Sequence, residues 1–281
     1  MNKKKLVLPV IAGTAAAAAL IAVLVKTHSD SVKQTVTDTM TAMVDERAQN
    51  IKGFVQESEQ FIRQYSEADE ITALLADPDN KSLAEAAQSF TETYSGQMED
   101  LEGIYASTYD TLVLTHTDSR CIGMITRADS KSRDALQDAL ESADDGLYRP
   151  GILRSPASGS QCLSMYQIVR NEQNEPVGFT GLGILTETLL QELQPNAVSG
   201  TKNAAFSMLS AAEAKYIFHK NDDLIGKETE NASIKSLCTE VTGENAAKNG
   251  TLAYQDNGEK HVAAYSYMPE YGWLLVMDAG I

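Results

Sequence analysis

The chain has 281 residues, 43% of them hydrophobic, which is enough for one large domain or two small ones with a buried core. Its formal charge is −16; the first 26 residues carry Lys3, Lys4, Lys5 and Lys26 and no acid, so those four positive charges leave −20 on the remainder. Such a surface repels a phosphate backbone, which excludes nucleic acid as a partner.

The first predicted element is the uncharged run Leu6 to Val25. As a helix it is long enough to cross a hydrocarbon core at about 1.5 Å per residue. Pro9 stands near its start, and the three lysines before it hold the N-terminus in the cytoplasm, so that everything after Lys26 lies outside the cell membrane. Residues 1–27 are thus read as a cytoplasmic stub and transmembrane anchor. The competing reading is a cleaved secretory signal, for which Ala15 to Ala19 supply small residues; the apolar run continues past them to Val25, longer than a usual signal core. No cysteine stands near the N-terminus to carry a lipid. Either way, residues 28–281 are extracytoplasmic.

Residues 28–66 are predicted to be a stalk helix. Val32, Val36, Met40, Met43, Ile51, Phe54, Phe61 and Tyr65 recur at helical spacing with gaps at Arg47 and Ser58, and no proline interrupts them. Such a helix can pack along modules of its own chain or pair with the same helix of a second chain; a homodimer through it is the expectation. Residues 67–100 form a helical segment covering the first module. A short helix around Ile71, Leu74 and Leu75 ends at Asp77, Pro78 and Asp79, and Ser82 with Glu85 makes a capping box for a helix running to about Met98.

Two modules come next, 101–193 and 203–281, joined by a linker at 194–202 that contains Pro195, Asn196 and Gly200. The first opens with alternating apolar runs, Ile104 to Thr108 and Leu112 to His116, joined at Tyr109 and Asp110 as a hairpin. A polar loop leads to Gly123. The second repeats the pattern with strands near Ala205 to Leu209 and Tyr216 to His219 and a loop to Gly226, and both histidines precede their glycine by seven positions. A helical run and strands complete each copy: Ser132 to Ser142, then Leu147 to Leu153, Gln161 to Arg170 and Val177 to Leu185; and Ile234 to Val241, then Thr251 to Gln255, Lys260 to Tyr267 and Gly272 to Met277. This is a tandem repeat of strand, strand, helix, strand, strand, strand. The fold class is therefore α+β, a long N-terminal helix followed by two modules with antiparallel sheets.

The anchor, the long helix, the two modules, the His-to-Gly loop after the second strand and the closing Gly272, Trp273, Leu274 strand resemble the double Cache sensor domain, whose modules are PAS-like. The resemblance spans about residues 30 to 279. It implies an extracytoplasmic ligand-sensing region of a membrane-anchored signalling protein, foremost a methyl-accepting chemotaxis receptor, with a small organic molecule bound in the membrane-distal module, 101–193. Sensor histidine kinases and cyclic-dinucleotide enzymes carry the same domain. The amino-acid-binding branch typically shows an arginine, one intervening residue and a tryptophan ahead of a tyrosine and an aspartate; here the corresponding region reads Tyr148, Arg149, Pro150, Gly151, and the one tryptophan is Trp273.

The first module is the richer in groups suited to a polar pocket: Tyr105, Arg127, Tyr148, Arg154, Ser155, Ser164 and Tyr166. Arg127 or Arg154 could hold both oxygens of a carboxylate while the tyrosines close the pocket; the plainer reading is that the arginines are solvated and the tyrosines pack. Ser155 to Gln161 is a serine-rich turn, either a lid or a hairpin loop. Cys121, Cys162 and Cys238 form no disulfide framework and no metal spacing; Cys121 and Cys162 could pair, but small apolar filling is the ordinary role of such residues.

No enzyme, metal or cofactor is expected. His28, His116, His219 and His261 make no spaced pair, and the equivalence of His116 and His219 points to a shared structural job at a strand end. No GxSxG elbow or phosphate loop occurs, and Asp222 and Asp223 lack the oxygen spacing of a calcium loop. A sensor needs a second span and an output domain, so the alternative to a receptor input is a surface-anchored binding or adhesion module. An apolar span and a heptad-rich helix coded after Ile281 would select the receptor, and a stop codon there the alternative.

Overall fold

The computed structural model describes residues 7–155, 158–186, 193 and 197–281, with side chains from residue 33 onward. The anchor reading of Leu6 to Val25 therefore concerns side chains outside the described residues, as do residues 194–196 of the linker and 156–157 of the serine-rich turn. Among the described residues no helix is long and apolar enough to cross a membrane. The chain divides into two compact units, one of residues 47–194 and one of residues 1–46 with 195–281.

Helix α1 runs Val7–Ser66. In the unit 47–194 its buried stripe is Ala48, Ile51, Val55, Ser58, Phe61, Ile62 and Tyr65; in the other unit it is Val36, Met40 and Val44. The stripe thus passes through Val44 and Val55 rather than the predicted Met43 and Phe54, which are half-buried. It closes over the polar gap at Ser58, whose hydroxyl donates back to Phe54 O at 2.7 Å and so satisfies itself within the helix.

Helices α2 (Asp69–Ala76) and α3 (Lys81–Ser95) come next. The cap of α3 is Asn80, not Ser82: its Oδ1 accepts from Ser82 N at 3.1 Å and Leu83 N at 3.4 Å. Asparagine is among the strongest N-cap residues, so the helix begins before the predicted box.

Each module is a five-stranded antiparallel sheet of the same order. In the first, β1 (Leu101–Thr108), β2 (Val113–His116), β3 (Leu147–Arg154), β4 (Gln161–Arg170) and β5 (Pro176–Leu185) lie in the order β2-β1-β5-β4-β3, with α4 (Ser130–Ser142) between β2 and β3 in sequence. In the second, β6 (Lys202–Ser210), β7 (Lys215–His219), β8 (Asn249–Asp256), β9 (Glu259–Met268) and β10 (Trp273–Gly280) lie in the order β7-β6-β10-β9-β8, with α5 (Ala232–Val241) between β7 and β8. Asn257 and Gly258, both at positive φ, make the two-residue turn between β8 and β9.

The repeat holds at the level of single hydrogen bonds. His116 Nδ1 accepts from Asp118 N at 2.8 Å, and His219 Nδ1 accepts from Asn221 N at 3.0 Å. One 3-10 turn comes after each, Ser119–Cys121 and Asp222–Leu224, and then a glycine at positive φ, Gly123 or Gly226, donates to Val113 O at 2.9 Å or Tyr216 O at 2.8 Å. The two histidines thus play the same structural role, each ring acceptor satisfying the backbone as the chain leaves the strand.

In the first module α4 lays Leu136 and Leu140 against Tyr166, Ile168 and Phe179. A buried polar chain ties α1 to β2: Tyr65 Oη to Thr91 Oγ1 at 2.7 Å, Thr115 Oγ1 to Thr91 Oγ1 at 2.8 Å and to Gln88 Oε1 at 2.6 Å, and Gln88 Nε2 to His116 O at 3.1 Å. A cluster of charges ties α1 to β3, with Arg149 reaching Glu59 at 2.6 Å and Asp145 at 2.7 Å, and Arg63 joining Asp145.

Thr115→Val removes one hydrogen bond each from Gln88 and Thr91, which keep His116 N and the Tyr65 hydroxyl as partners, and should cost about 0.5–1.5 kcal/mol in urea unfolding; an unchanged midpoint would show the chain to be energetically slack. A second expectation concerns pH. Burial raises the Asp145 carboxyl, but hydrogen bonds from Arg149 and Leu147 N and the charges of Arg149 and Arg63 outweigh it, and the group titrates at about 2 instead of 3.8. A depressed carboxyl contributes stability that is present above its unfolded value and lost as pH falls through its folded one. Between pH 3.8 and about 2 the wild type should therefore lose stability more steeply than Asp145→Asn, by circular dichroism at stepped pH. Equal slopes would contradict the assignment.

Candidate functional site

A cavity of about 260 Å³ opens in the first module. Cross-strand partners in an antiparallel sheet point to the same side, and two adjacent levels of this sheet explain why there is space. One level reads His116, Tyr105, Gly181, Tyr166 and Tyr148 across β2, β1, β5, β4 and β3. The next reads Gly103, Gly183, Ser164 and Gly151 across β1, β5, β4 and β3. The second level is a trench with almost no side chains, walled by the rings of the first. Gly181 is the seat of Tyr105, since a Cβ there would lie 2.3 Å from the ring.

The second module repeats the strands but not the trench. With Tyr265 in the place of Tyr166, its levels read His219, Ser207, Val276, Tyr265, Gly250 and Ala205, Asp278, Ala263, Leu252. Val276 and Asp278 stand where Gly181 and Gly183 stand in the first. Asp278 is engaged with Tyr254 Oη at 2.7 Å and His261 Nδ1 at 3.0 Å.

Of the predicted residues, Tyr105, Arg127, Arg154, Ser155, Ser164 and Tyr166 line the cavity. Tyr148 does not; its ring stacks on Tyr166 with centroids 6.2 Å apart and packs against the core under α4. It stands on the same face as Tyr166, its cross-strand partner, one strand further from the cavity. Arg154 is exposed and donates to Gly159 O at 2.7 Å, as a hairpin residue does.

Sequence reasoning missed Glu102, Cys121, Met124, Thr126, Leu153 and Cys162, and assigned His116 only its structural role, although all line the cavity. One signal was present: two glycines one residue apart in β5, Gly181 and Gly183, mark close approach in a strand.

Three charged side chains line the cavity, Glu102, Arg127 and Arg154. Arg127 donates through Nη1 to Thr126 O at 2.9 Å and through Nη2 to Tyr166 Oη at 3.4 Å, and its guanidinium lies 6.0 Å from the Tyr166 ring centroid. Glu102 accepts from Ser155 Oγ at 2.6 Å. Among the described residues neither has an oppositely charged partner within ion-pair distance. Burial pushes the Tyr105 phenol well above its usual value, with Tyr166 and Glu102 raising it further and Arg127 opposing, so it stays protonated between the two charges. Burial lowers His116 below its usual 6.5 against the pull of Glu102 and Asp118. Neutral at pH 7 and with Nδ1 accepting, it carries its proton on Nε2.

All three cysteines are free and buried. Burial and Glu102 push Cys162 up to about 12, and burial, then Asp118 and Glu102, raises Cys121, so both cavity thiols are protonated and unreactive. Among the described residues no group of three or more His, Cys, Asp and Glu side chains could hold a metal ion. The arrangement can bind a small dipolar molecule, since a guanidinium, a carboxylate and aromatic rings line one cavity.

No protein-family model matches the chain, and no characterised protein matches it by sequence. Solved structures do match. The sensory domain of the Campylobacter jejuni chemoreceptor Tlp3, with isoleucine bound, superposes with TM-score 0.61 at 12% identity over 89% of this chain and 95% of that one. The ligand-binding domain of Mlp24 with asparagine gives 0.60 at 16% identity over 89% and 94%. The ligand-binding domain of the Pseudomonas aeruginosa amino-acid chemoreceptor PctB with L-Arg gives 0.62 at 14% identity over 88% and 96%. The chain has the double Cache fold of such sensory domains.

A test of the trench is to refill it. Gly181→Ala meets the Tyr105 ring and should destabilise by about 1–3 kcal/mol. Gly183→Ala meets only the Glu102 carboxylate, at 2.9 Å, which can swing aside. It should fold with a smaller loss, so thermal unfolding should rank Gly181→Ala below Gly183→Ala; the reverse order would refute the seat assigned to Tyr105.

Proposed function

We propose that this chain is the extracytoplasmic ligand-sensing region of a membrane-anchored chemotaxis receptor, and that the first module, distal to the membrane, binds a small dipolar organic molecule. The observation that carries this reading is the pair Arg127 and Glu102, facing one cavity and unpaired with each other. Each is half-buried and has no ion-pair partner among the described residues, and a ligand bearing a carboxylate toward Arg127 and an ammonium toward Glu102 would supply one to both. Further support comes from the free amino acids bound by the solved domains of the same fold. The tryptophan-containing signature of that branch is missing here, so the head group would be held by Arg127, Tyr105, Tyr166 and Glu102 instead.

In this reading residues 6–25 anchor the chain and α1 carries the signal, with pairing to a second copy through its remaining face. Ligand binding biases one of two arrangements, and the difference in affinity between them limits the signal. The links from the cavity wall to α1 are the Gln88–Thr115–Thr91–Tyr65 chain behind His116 and the Arg149 cluster at the start of β3.

The test is thermal shift of the whole chain in nanodiscs against small amino acids, carboxylates, amines and purines. A ligand at about 100 times its Kd stabilises the folded form by about 2.7 kcal/mol. Amino acids are expected to raise the melting temperature, Arg127→Ala to abolish the shift and Glu102→Gln to weaken it. Shifts confined to purines, or undiminished in Arg127→Ala, would defeat the reading.

A further inference from the structure

The head group placed at Arg127 and Glu102 leaves one end of the trench unassigned. The trench level of Gly103, Gly183 and Ser164 lies between two others: on one side the rings of Tyr105 and Tyr166, on the other the cross-strand pair Cys162 and Leu153. Both members of that pair line the cavity, as do Val113, Cys121 and Met124 from β2 and the loop after it. Val113, Cys121 and Cys162 are buried. Burial holds the two thiols in their protonated form, in which cysteine packs as a small apolar group.

The polar atoms near this end already have partners within the chain. Ser155 Oγ donates to Glu102 Oε1 at 2.6 Å, Ser164 Oγ to Cys162 O at 3.4 Å and Cys162 Sγ to Ser160 O at 3.7 Å. Arg154 alternates with Leu153 along β3; it is exposed and donates through Nη1 to Gly159 O at 2.7 Å, so its charge is spent on the hairpin and on water. An amide or carboxylate brought against Leu153 and Cys162 would exchange its water for methyl groups and thiols, which hydrogen-bond weakly or not at all. An apolar side chain loses nothing there and gains by leaving water. At about 260 Å³ the cavity is smaller than the roughly 300–1,000 Å³ of sites that enclose a drug-sized molecule, so the group it accepts beside a head group is short.

We infer that the variable part of the ligand is a compact apolar side chain packed against Leu153, Cys162, Cys121, Met124 and Val113. This rests on the reading of the cavity as a dipolar-ligand site and adds the class it selects, amino acids with a short aliphatic or thioether side chain. The fold does not make that choice; the residues at this end of the trench do. They discriminate by refusing polar side chains as much as by attracting apolar ones.

The experiment is calorimetry of the whole chain in nanodiscs, with an empty-nanodisc blank, on amino acids matched in shape: L-methionine against L-glutamine, and L-leucine against L-asparagine, with L-glutamate to probe Arg154. Methionine and leucine are expected to bind about 5- to 150-fold tighter than the matching amides, the range that an unpartnered buried polar group costs. Cys162→Ser and, at the exposed partner, Leu153→Asn should each shrink the methionine-to-glutamine ratio several-fold by offering the amide a hydrogen bond. Amides that bind as tightly as their apolar counterparts, or glutamate binding tightest of all, would overturn the inference while the cavity stays a dipolar-ligand site. A ratio that neither variant moves would overturn it in the same way. If none of the five binds, the dipolar-ligand reading fails and this inference with it.

Discussion

The structure depends on a geometric constraint of β-sheets: residues that face each other on neighbouring strands share a side of the sheet, so small residues at one level remove a whole row of surface. Gly103, Gly183 and Ser164 stand at one such level, and Gly181 at the next lets Tyr105 lie flat over the strand. Glycine inside a strand weakens it, having no side chain to pack and more entropy to lose. Here the rings of Tyr105, Tyr166 and Phe179 close around the gap in edge-on contacts and restore the packing that the glycines give up. The second module shows the alternative outcome. The same strand order, the same loop hydrogen bonds and an equivalent histidine surround Val276 and Asp278, which fill the level. One fold thus produces two different surfaces, and function belongs to the residues placed on it rather than to the fold.

The trench holds an electrostatic arrangement rather than a reactive one. Arg127, Arg154 and Glu102 are the charged groups; the phenol, the thiols and the imidazole around them are kept neutral by burial. Neutral groups supply directed donors without adding charge, so the field in the cavity is set by the three charged residues that line it. In a partly desolvated site such a field acts strongly on a ligand dipole and weakly on an uncharged molecule.

The cavity wall is also tied to α1 by contacts of two kinds. The Tyr65, Thr91, Thr115 and Gln88 chain is buried except at Gln88 and hydrogen-bonded from end to end, so displacing one member strains its bonds to the next. The Arg149, Glu59, Asp145 and Arg63 cluster lies nearer to water and fastens the start of β3, the strand that ends at Leu153 and Arg154 on the cavity. A displacement of β2 or of β3 therefore reaches the same helix.

Much of this molecule was legible in its residue order. Hydrophobic period, turn residues and the equal spacing from His116 to Gly123 and from His219 to Gly226 determined the element order, the duplication and the α+β class, because these are local or repeated patterns. The charged, aromatic and serine candidates in the first module came from the same reading, and six of them meet at one cavity. Register was decided only by the tertiary structure. Whether Gly103, Gly183 and Ser164 fall on one level, whether Tyr148 reaches the cavity or stands beside Tyr166 outside it, and whether Glu102 lines the same cavity as Arg127 depend on which residue of one strand lies opposite which residue of another. A shift of one position turns every side chain to the other face. The buried stripe of α1 obeyed the same rule: its period was written in the sequence, but the choice of Val44 and Val55 over Met43 and Phe54 was made by what the helix packs against. Periodicity fixes how side chains alternate along an element, and only the packing of elements against each other fixes which of them meet.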